Sequence, residues 1–335
     1  MSIDLSILIV NWNSRDYLRK CLHSVFTHTG GLTYEVIVID SGSRDGCGEM
    51  LATEFPQVLF IPHEHNVGFA KANNLAAARA SGDYLLLLNP DTEVTGNGIL
   101  QLFEAFKQSP EGGAIGPRLL NTDGSLQMSS VQAYPSVLGH FLDSNLLRRL
   151  LPDLSLWGTA PLRSTAKRAI PAECLSGACI LTPRSLYAEL GGLNDRYFMY
   201  YEDMDYCLKV ARSGRKVLHL PSVEIVHHGG KSSGGGAGTF SSVMMAKAGA
   251  QYFQLHHGPV QARLFRVAMG TKALLRVLML TLVLPAALLT RHAQNVRNAS
   301  RRWRSVLRWT LGKEAWAETF PQTALPATAG TTPAT

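Results

Sequence analysis

Acidic residues are missing from a long stretch of this chain. Between Ile225 and Lys313 there are thirteen Lys or Arg and no Asp or Glu, which leaves nineteen basic against twenty-five acidic residues elsewhere. The overall excess of +7 therefore hides a basic C-terminal stretch on a mildly acidic remainder. Such segregation calls for an anionic partner, phospholipid headgroups or nucleic acid. The basic residues are interleaved with an apolar block that suits lipid, so an anionic membrane surface is the expected partner and no nucleic acid is. Cysteine is scarce as well: Cys21, Cys47, Cys174, Cys179 and Cys207 are odd in number and lack Cys-x-x-Cys spacing. That excludes a disulfide framework and a zinc site and suits reduced thiols in the cytosol. The N-terminus has no basic n-region and no cleavage site, so no secretory signal is expected. The turn Asn11-Trp12-Asn13-Ser14-Arg15-Asp16 contains no glycine, which argues against a nicotinamide dehydrogenase. The uncharged run Val277 to Thr290 falls short of the roughly 20 residues a spanning helix needs, and it contains Pro285. With Lys272, Arg276 and Arg291 around it, an interfacial or re-entrant segment fits it; a buried amphipathic helix is the other reading.

What is present is enough for one large α/β domain with an appendage, or two modest domains, at 335 residues and 46% hydrophobic content. Leu5 to Val10 reads as a strand, and Tyr17 to Thr27 as a helix with Leu18, Cys21, Leu22, Val25 and Phe26 on one face. Strands follow at Tyr34 to Ile39 and Val58 to Ile61, a helix at Val67 to Ala80, and a buried strand at Leu85 to Leu88. Repeated βα units give a mostly parallel central sheet flanked by helices. Gly112 to Pro171 reads as a loop-rich excursion. Regular structure resumes with a strand at Cys174 to Leu181, helices at Pro183 to Leu190 and Glu202 to Ser213, and a strand at Lys216 to Leu220. Gly229 to Gly238 reads as a flexible loop, and the Pro-, Thr- and Ala-rich tail as disordered.

Two places carry chemistry. The run Asn194 to Asp205 holds Asp195, Glu202, Asp203 and Asp205 among aromatic residues, just ahead of a helical pattern. Crowded carboxylates beside apolar rings raise one another's pKa, which suits acid–base work; an acidic helix N-terminus serving the macrodipole is the plainer reading. Upstream, proline ends the Leu85 strand at Asn89-Pro90-Asp91, so Asp91 emerges at a strand's carboxyl end, where open α/β sheets bind ligands. Asn89 and Asp91 could supply the one or two oxygens a hard divalent cation takes from protein when it also holds a diphosphate.

Four segments, in order, make the chain resemble the family 2 glycosyltransferases, in the branch of bacterial rhamnosyltransferases. They are Leu8-Ile9-Val10-Asn11-Trp12-Asn13; Val38 to Gly46; Asn66 to Asn74 running on to Leu88-Asn89-Pro90-Asp91; and Gly191 through Tyr200-Tyr201-Glu202-Asp203 to His227-His228. The resemblance covers about residues 5 to 230 and implies the GT-A nucleotide-diphospho-sugar transferase fold, to which composition adds a C-terminal helical membrane-associating extension. The chain is expected to divide into a catalytic domain at 1–228, a Gly/Ser-rich loop at 229–241, a basic, apolar helical extension at 242–313 and a disordered tail at 314–335. By position, Val10, Asn11 and Trp12 should lie along the nucleotide and Asp40 should accept from the base's imide N–H, while its residue type also suits a turn-initiating cap. Gly68, Phe69, Asn73 and Asn74 suit a glycine-opened helix facing the diphosphate or sugar, with Lys71 a phosphate contact or a solvated side chain. Asn89-Pro90-Asp91 stands where the family has Asp-x-Asp, with Asp91 the expected ligand of Mg²⁺ or Mn²⁺ and Asn replacing the first Asp. His227 is either a further metal ligand or a satisfied structural histidine. Asp203 is the implied catalytic base, with Glu202 and Asp205 orienting or acceptor-binding groups. The expected activity is inverting transfer of a sugar, L-rhamnose foremost, from a dTDP- or UDP-linked donor to a glycan or lipid-linked saccharide. The expected place is the cytoplasmic face of a bacterial inner membrane. A catalytically inactive nucleotide-sugar-binding scaffold is the alternative.

Overall fold

A computed structural model of the chain describes residues 3–152, 154–229, 238–287 and 293–319. The first half alternates as expected: β1 (Leu5–Asn11), α1 (Arg15–His28), β2 (Tyr34–Ser41), α2 (Cys47–Glu54), β3 (Leu59–His63), α3 (Phe69–Ala77) and β4 (Tyr84–Leu88). Next come β5 (Thr92–Val94), α4 (Gly98–Lys107), β6 (Gly112–Leu120) and β7 (Val131–Gln132), then α5 (Val137–Leu142) and α6 (Asn145–Leu150). The series continues through β8 (Ile170–Pro171), β9 (Cys174–Leu175), β10 (Cys179–Pro183), α7 (Arg184–Glu189), α8 (Glu202–Arg212) and β11 (Lys216–His227). Three helices follow: α9 (Thr239–Ala287), α10 (Ala293–Thr310) and α11 (Ala315–Thr319).

One sheet runs β3-β2-β1-β4-β10-β6-β11-β5, with β8 on β11, while β7 and β9 pair separately. β3, β2, β1 and β4 are mutually parallel and β6 is parallel to β11, so only β10, β5 and β8 run against the rest. Alternate residues of the central strands enter opposite layers. Ile7 and Ile9 pack with Leu18 and Leu22 of α1, whereas Leu8 packs with Ala70, Ala72 and Ala76 of α3. Burial on both faces is why these strands read as unbroken apolar runs. The chain passes from β1 to β2 and β3 on one side, then crosses to β4 on the other. The carboxyl ends of β1 and β4 thus form a topological switch point, the usual ligand crevice of such sheets.

Four expectations need correction. Gly112 to Pro171 is not an excursion throughout, because Gly112–Leu120 forms a nine-residue strand inside the sheet. Its glycines hid it: a Cβ on Gly112 would lie 2.8 Å from the Phe106 ring and one on Gly113 2.6 Å from Val210, so helices α4 and α8 press too close for side chains. Cys174 to Leu181 is two strands, not one, broken at Ser176-Gly177-Ala178. β11 runs past Pro221 to His227, because an irregularity between Leu220 and Glu224 absorbs the missing N–H. The tail expected to be disordered from residue 314 is helical over Ala315–Thr319, and residues 320–335 lie outside the described residues. So does most of the Gly229 to Gly238 loop.

The described chain divides into two compact units, one drawn from residues 3–134, 150–198 and 202–229, the other from 135–149, 199–201 and 238–319. The first holds the sheet. In the second, α9 is interrupted at Gly258 (φ 82, ψ 176), with Pro259 opening the following helical segment. α10 returns antiparallel along that segment: Arg266 lies over Trp309 and Lys272 over Trp303, at 4.9 and 5.7 Å from the ring centroids. Val243, Ala246 and Ala273 meet Val306 and Trp309 in a small core of this unit.

Candidate active site

At the carboxyl ends of β1 and β2, Asn11 and Asp40 stand in register. The Asp40 carboxylate is buried and accepts from Asn11 Nδ2 (2.9 Å), Ser43 Oγ (2.5 Å), Ser43 N (2.9 Å) and Cys47 Sγ (3.3 Å). Asn13, left-handed at φ 46, then ties the two loops together: its N–H donates to Ser43 Oγ and its side chain accepts from Arg44 N. Asp40 is therefore an organiser of its turn, with its Oδ2 the less occupied oxygen. Val10 and Trp12 are half-buried beside this junction, whereas Asn11 is enclosed.

β4 ends at Asn89-Pro90-Asp91, and β11 delivers His227 to the same point. His227 Nε2 lies 3.2 Å from Asp91 Oδ1 and 3.3 Å from Asn89 Nδ2. The other ring nitrogen, Nδ1, is 2.7 Å from Gln127 Oε1. Gln127 Nε2 already donates to Asn121 Oδ1 and to the His227 carbonyl, so Oε1 must be the acceptor and Nδ1 must carry the proton. In the neutral ring this leaves the Nε2 lone pair facing Asp91. His228 is held differently, with Nδ1 at 2.9 Å from Thr122 Oγ1 and Nε2 at 2.8 Å from Glu93. Among the described residues no three His, Cys, Asp or Glu side chains form a ready cage. A Mg²⁺ or Mn²⁺ that shares its shell with a diphosphate requires fewer. The donor set fits that need: a carboxylate, an imidazole nitrogen and Asn89 Oδ1, a buried oxygen with no hydrogen-bond partner among the described residues.

The third part gathers where β9 breaks before β10. Gly177 N donates to Asp203 Oδ2 at 2.8 Å, and one residue later the Ala178 carbonyl accepts from Asn89 N at 2.9 Å. A single short segment therefore touches both the Asp203 and the Asn89–Asp91 stations. α3 abuts it as well, since a Cβ on Gly177 would sit 3.4 Å from the Phe69 ring. Gly68 (φ 84) lets Phe69 N reach the Phe198 carbonyl at 2.8 Å. Asp203 is half-buried at the first turn of α8, and its Oδ1 accepts from Met204 N. Burial raises its pKa against the lowering effect of those backbone N–H groups. Glu202 is more enclosed. Burial, then the Asp203 charge, push its carboxyl well above the usual range, and its Oε2 has no partner among the described residues.

Three expected contacts are redirected inward. Asp205 is fully buried, 3.4 Å from Lys209 Nζ and 3.5 Å from Tyr197 Oη, so its carboxylate is turned toward its own helix and the loop before α8. Asn74 gives its amide to the Leu193 carbonyl and takes bonds from Leu193 N and Tyr187 Oη. Asn73 is buried and bonded to the Phe69 carbonyl of its own helix. Lys71 is exposed. Sequence reasoning passed over Gln127 and the Gly177–Ala178 segment. A glycine inside a strand pattern signals close backbone approach and could have marked Gly177; nothing local marks Gln127.

Comparison with known proteins agrees with this geometry. Residues 6–178 match the family model described as Glycosyl transferase family 2. The chain is 28% identical over 249 residues to the N-acetylglucosaminyl-diphospho-decaprenol L-rhamnosyltransferase of Mycobacterium tuberculosis, covering 69% of this chain and 78% of that one. Its fold is similar to that of the mannosyltransferase PcManGT from Pyrobaculum calidifontis in complex with GDP-Man and Mn²⁺, with TM-score 0.56, 17% identity and coverage of 94% and 88%. It is also similar to GalNAc-T7 with UDP, GalNAc and Mn²⁺, with TM-score 0.54, 19% identity and coverage of 68% of this chain and 43% of that one. Strand ends at a switch point, a carboxylate–histidine pair and a buried acidic helix start thus stand on a GT-A-like sheet, and the chain belongs to glycosyltransferase family 2, as a rhamnosyltransferase-like member.

Proposed function

We propose that this protein is an inverting glycosyltransferase that moves one sugar, L-rhamnose foremost, from a dTDP- or UDP-linked donor to a lipid-linked saccharide during cell-surface glycan synthesis. Its place of work is the cytosolic face of a bacterial inner membrane. Asp203 takes the proton of the acceptor hydroxyl as that oxygen bonds to the anomeric carbon, and the carbon–oxygen bond to the diphosphate breaks on the opposite face, its electron pair leaving with the diphosphate. The raised pKa of Asp203 suits a base at neutral pH, and each of its oxygens keeps a lone pair beyond the bond it accepts from Gly177 or Met204. Asp91 and His227, with Asn89 beside them, would hold a Mg²⁺ or Mn²⁺ ion, which when bound neutralises the departing diphosphate. Asp40 with Trp12 and Val10 forms the wall on which the nucleotide rests. The sugar and acceptor classes follow the likeness to the mycobacterial rhamnosyltransferase.

The observation that carries this reading is the Gly177–Ala178 segment, which bonds to Asp203 on one side and to Asn89 on the other. It brings the acid expected to activate the acceptor beside the residues expected to grip the donor. The test is a screen of purified protein with Mg²⁺ or Mn²⁺ against dTDP-, UDP- and GDP-sugars, following nucleotide release. Asp203→Asn is expected to cut transfer by about 10²–10⁴-fold while nucleotide affinity persists. Asp91→Ala is expected to lose metal-dependent donor binding. Transfer by Asp203→Asn at the parent rate would remove the assigned base.

A further inference from the structure

Beyond Gly258 the outward surface of α9 is apolar along one stripe. Val260, Leu264, Val267, Leu274, Leu278 and Leu282 recur at steps of three, four and seven, and each is between 46% and 82% exposed. Of the four basic residues in this part of the helix, Arg266, Lys272 and Arg276 lie over the indoles of Trp309 and Trp303 in α10, while Arg263 is exposed at the edge of the stripe. α10 has the complementary arrangement. Its Ser300, Val306 and Trp309 are buried, while Arg297, Arg301, Arg304 and Arg308 are exposed at spacings of four, three and four, one face of a helix. Arg308 also pairs with Glu314.

We propose that this helical hairpin lies in the plane of an anionic bilayer, its α9 stripe entering the acyl boundary and the α10 arginines reaching lipid phosphates. Charge and geometry commit the surface to that occupant. No acidic residue interrupts the chain from Ile225 to Lys313, so nothing there repels an anionic headgroup. Between Thr239 and Pro285 the chain is long and apolar enough to cross a membrane, and its most apolar part is largely unburied. Spanning is nevertheless disfavoured, because α10 packs along the same segment and would carry its row of arginines into hydrocarbon. The docking is independent of the proposed chemistry, since a chain that failed to transfer sugar would still bind lipid.

The test is cosedimentation of the full chain with large unilamellar vesicles of phosphatidylcholine, with and without about one-third phosphatidylglycerol. Binding is expected on the anionic vesicles alone, to weaken with salt, and to be released by alkaline carbonate. Arg301→Gln with Arg304→Gln should weaken it about fivefold per arginine. Leu274→Gln with Leu278→Gln should weaken it further, with unchanged far-ultraviolet circular dichroism showing that both variants are folded. Equal binding to neutral vesicles, or resistance to carbonate, would overturn in-plane docking. So would a dimer in light scattering that needs the two leucines while vesicles go unbound.

Discussion

The Gln127 carboxamide gives its nitrogen to Asn121 and to the His227 carbonyl, which leaves its oxygen to accept from the His227 ring. Gln127→Leu removes the group that fixes that ring's tautomer and angle. Mn²⁺ affinity, read by titration calorimetry in the absence of donor, is expected to fall about 10–100-fold, the usual cost of losing such a supporting partner. Imidazole ¹⁵N spectra of the metal-free parent should show the His227 proton on Nδ1, and a proton on Nε2 alone would contradict this assignment. Glu202 makes a separate prediction. Its folded pKa is raised by burial and then by Asp203, so its contribution to stability is complete below the unfolded carboxyl value and is lost as pH rises through the folded one. Glu202→Gln should therefore raise the melting temperature at pH 8, by roughly 2–4 °C, with the gain vanishing near pH 4. A gain that persisted unchanged at acid pH would mean that the Glu202 carboxyl is not held at a raised pKa.

At the scale of elements, the strands that could be read from sequence were those buried on both faces. β1, β2 and β4 each contain a four-residue run of Leu, Ile or Val, at 7–10, 36–39 and 85–88, that stops at a polar residue, and these stops, Asn11, Asp40 and Asn89, belong to the candidate site. β6 was illegible because its sequence opens with two glycines and contains Pro117, features that propensity assigns to loops. Only the tertiary context, α4 and α8 pressing on Gly112 and Gly113, explains them. The acidic run was legible as a group, but not the division of labour within it. Whether a carboxylate meets solvent or a lysine depends on the turn of α8, which places Asp203 half-buried and Asp205 inside. Gly68 shows the same dependence. With φ at 84 and a notional Cβ 2.6 Å from the Phe198 carbonyl, Gly68→Ala should destabilise the chain by about 1–3 kcal/mol in urea unfolding and disturb the start of α3. Unchanged stability would show that the α3 start can move away from Phe198 without cost.

For the molecule as a whole, composition was a better guide than periodicity. The partition of charge marked residues beyond Ile225 as different in kind, and the structure gathers most of them with residues 135–149 and 199–201 into a unit of their own. The sequence alone could not show that 135–149 would join that unit, because the association depends on contacts far apart along the chain. His140 illustrates this: its ring is bonded to Tyr201 and its carbonyl accepts from Lys272.

The peptide at Gly177 has one further consequence. Because its amide hydrogen is given to the Asp203 carboxylate while the neighbouring carbonyl is tied to Asn89, that hydrogen is a natural beacon for both halves of the proposed reaction. Its exchange with deuterated solvent would register arrival of either substrate from one resonance.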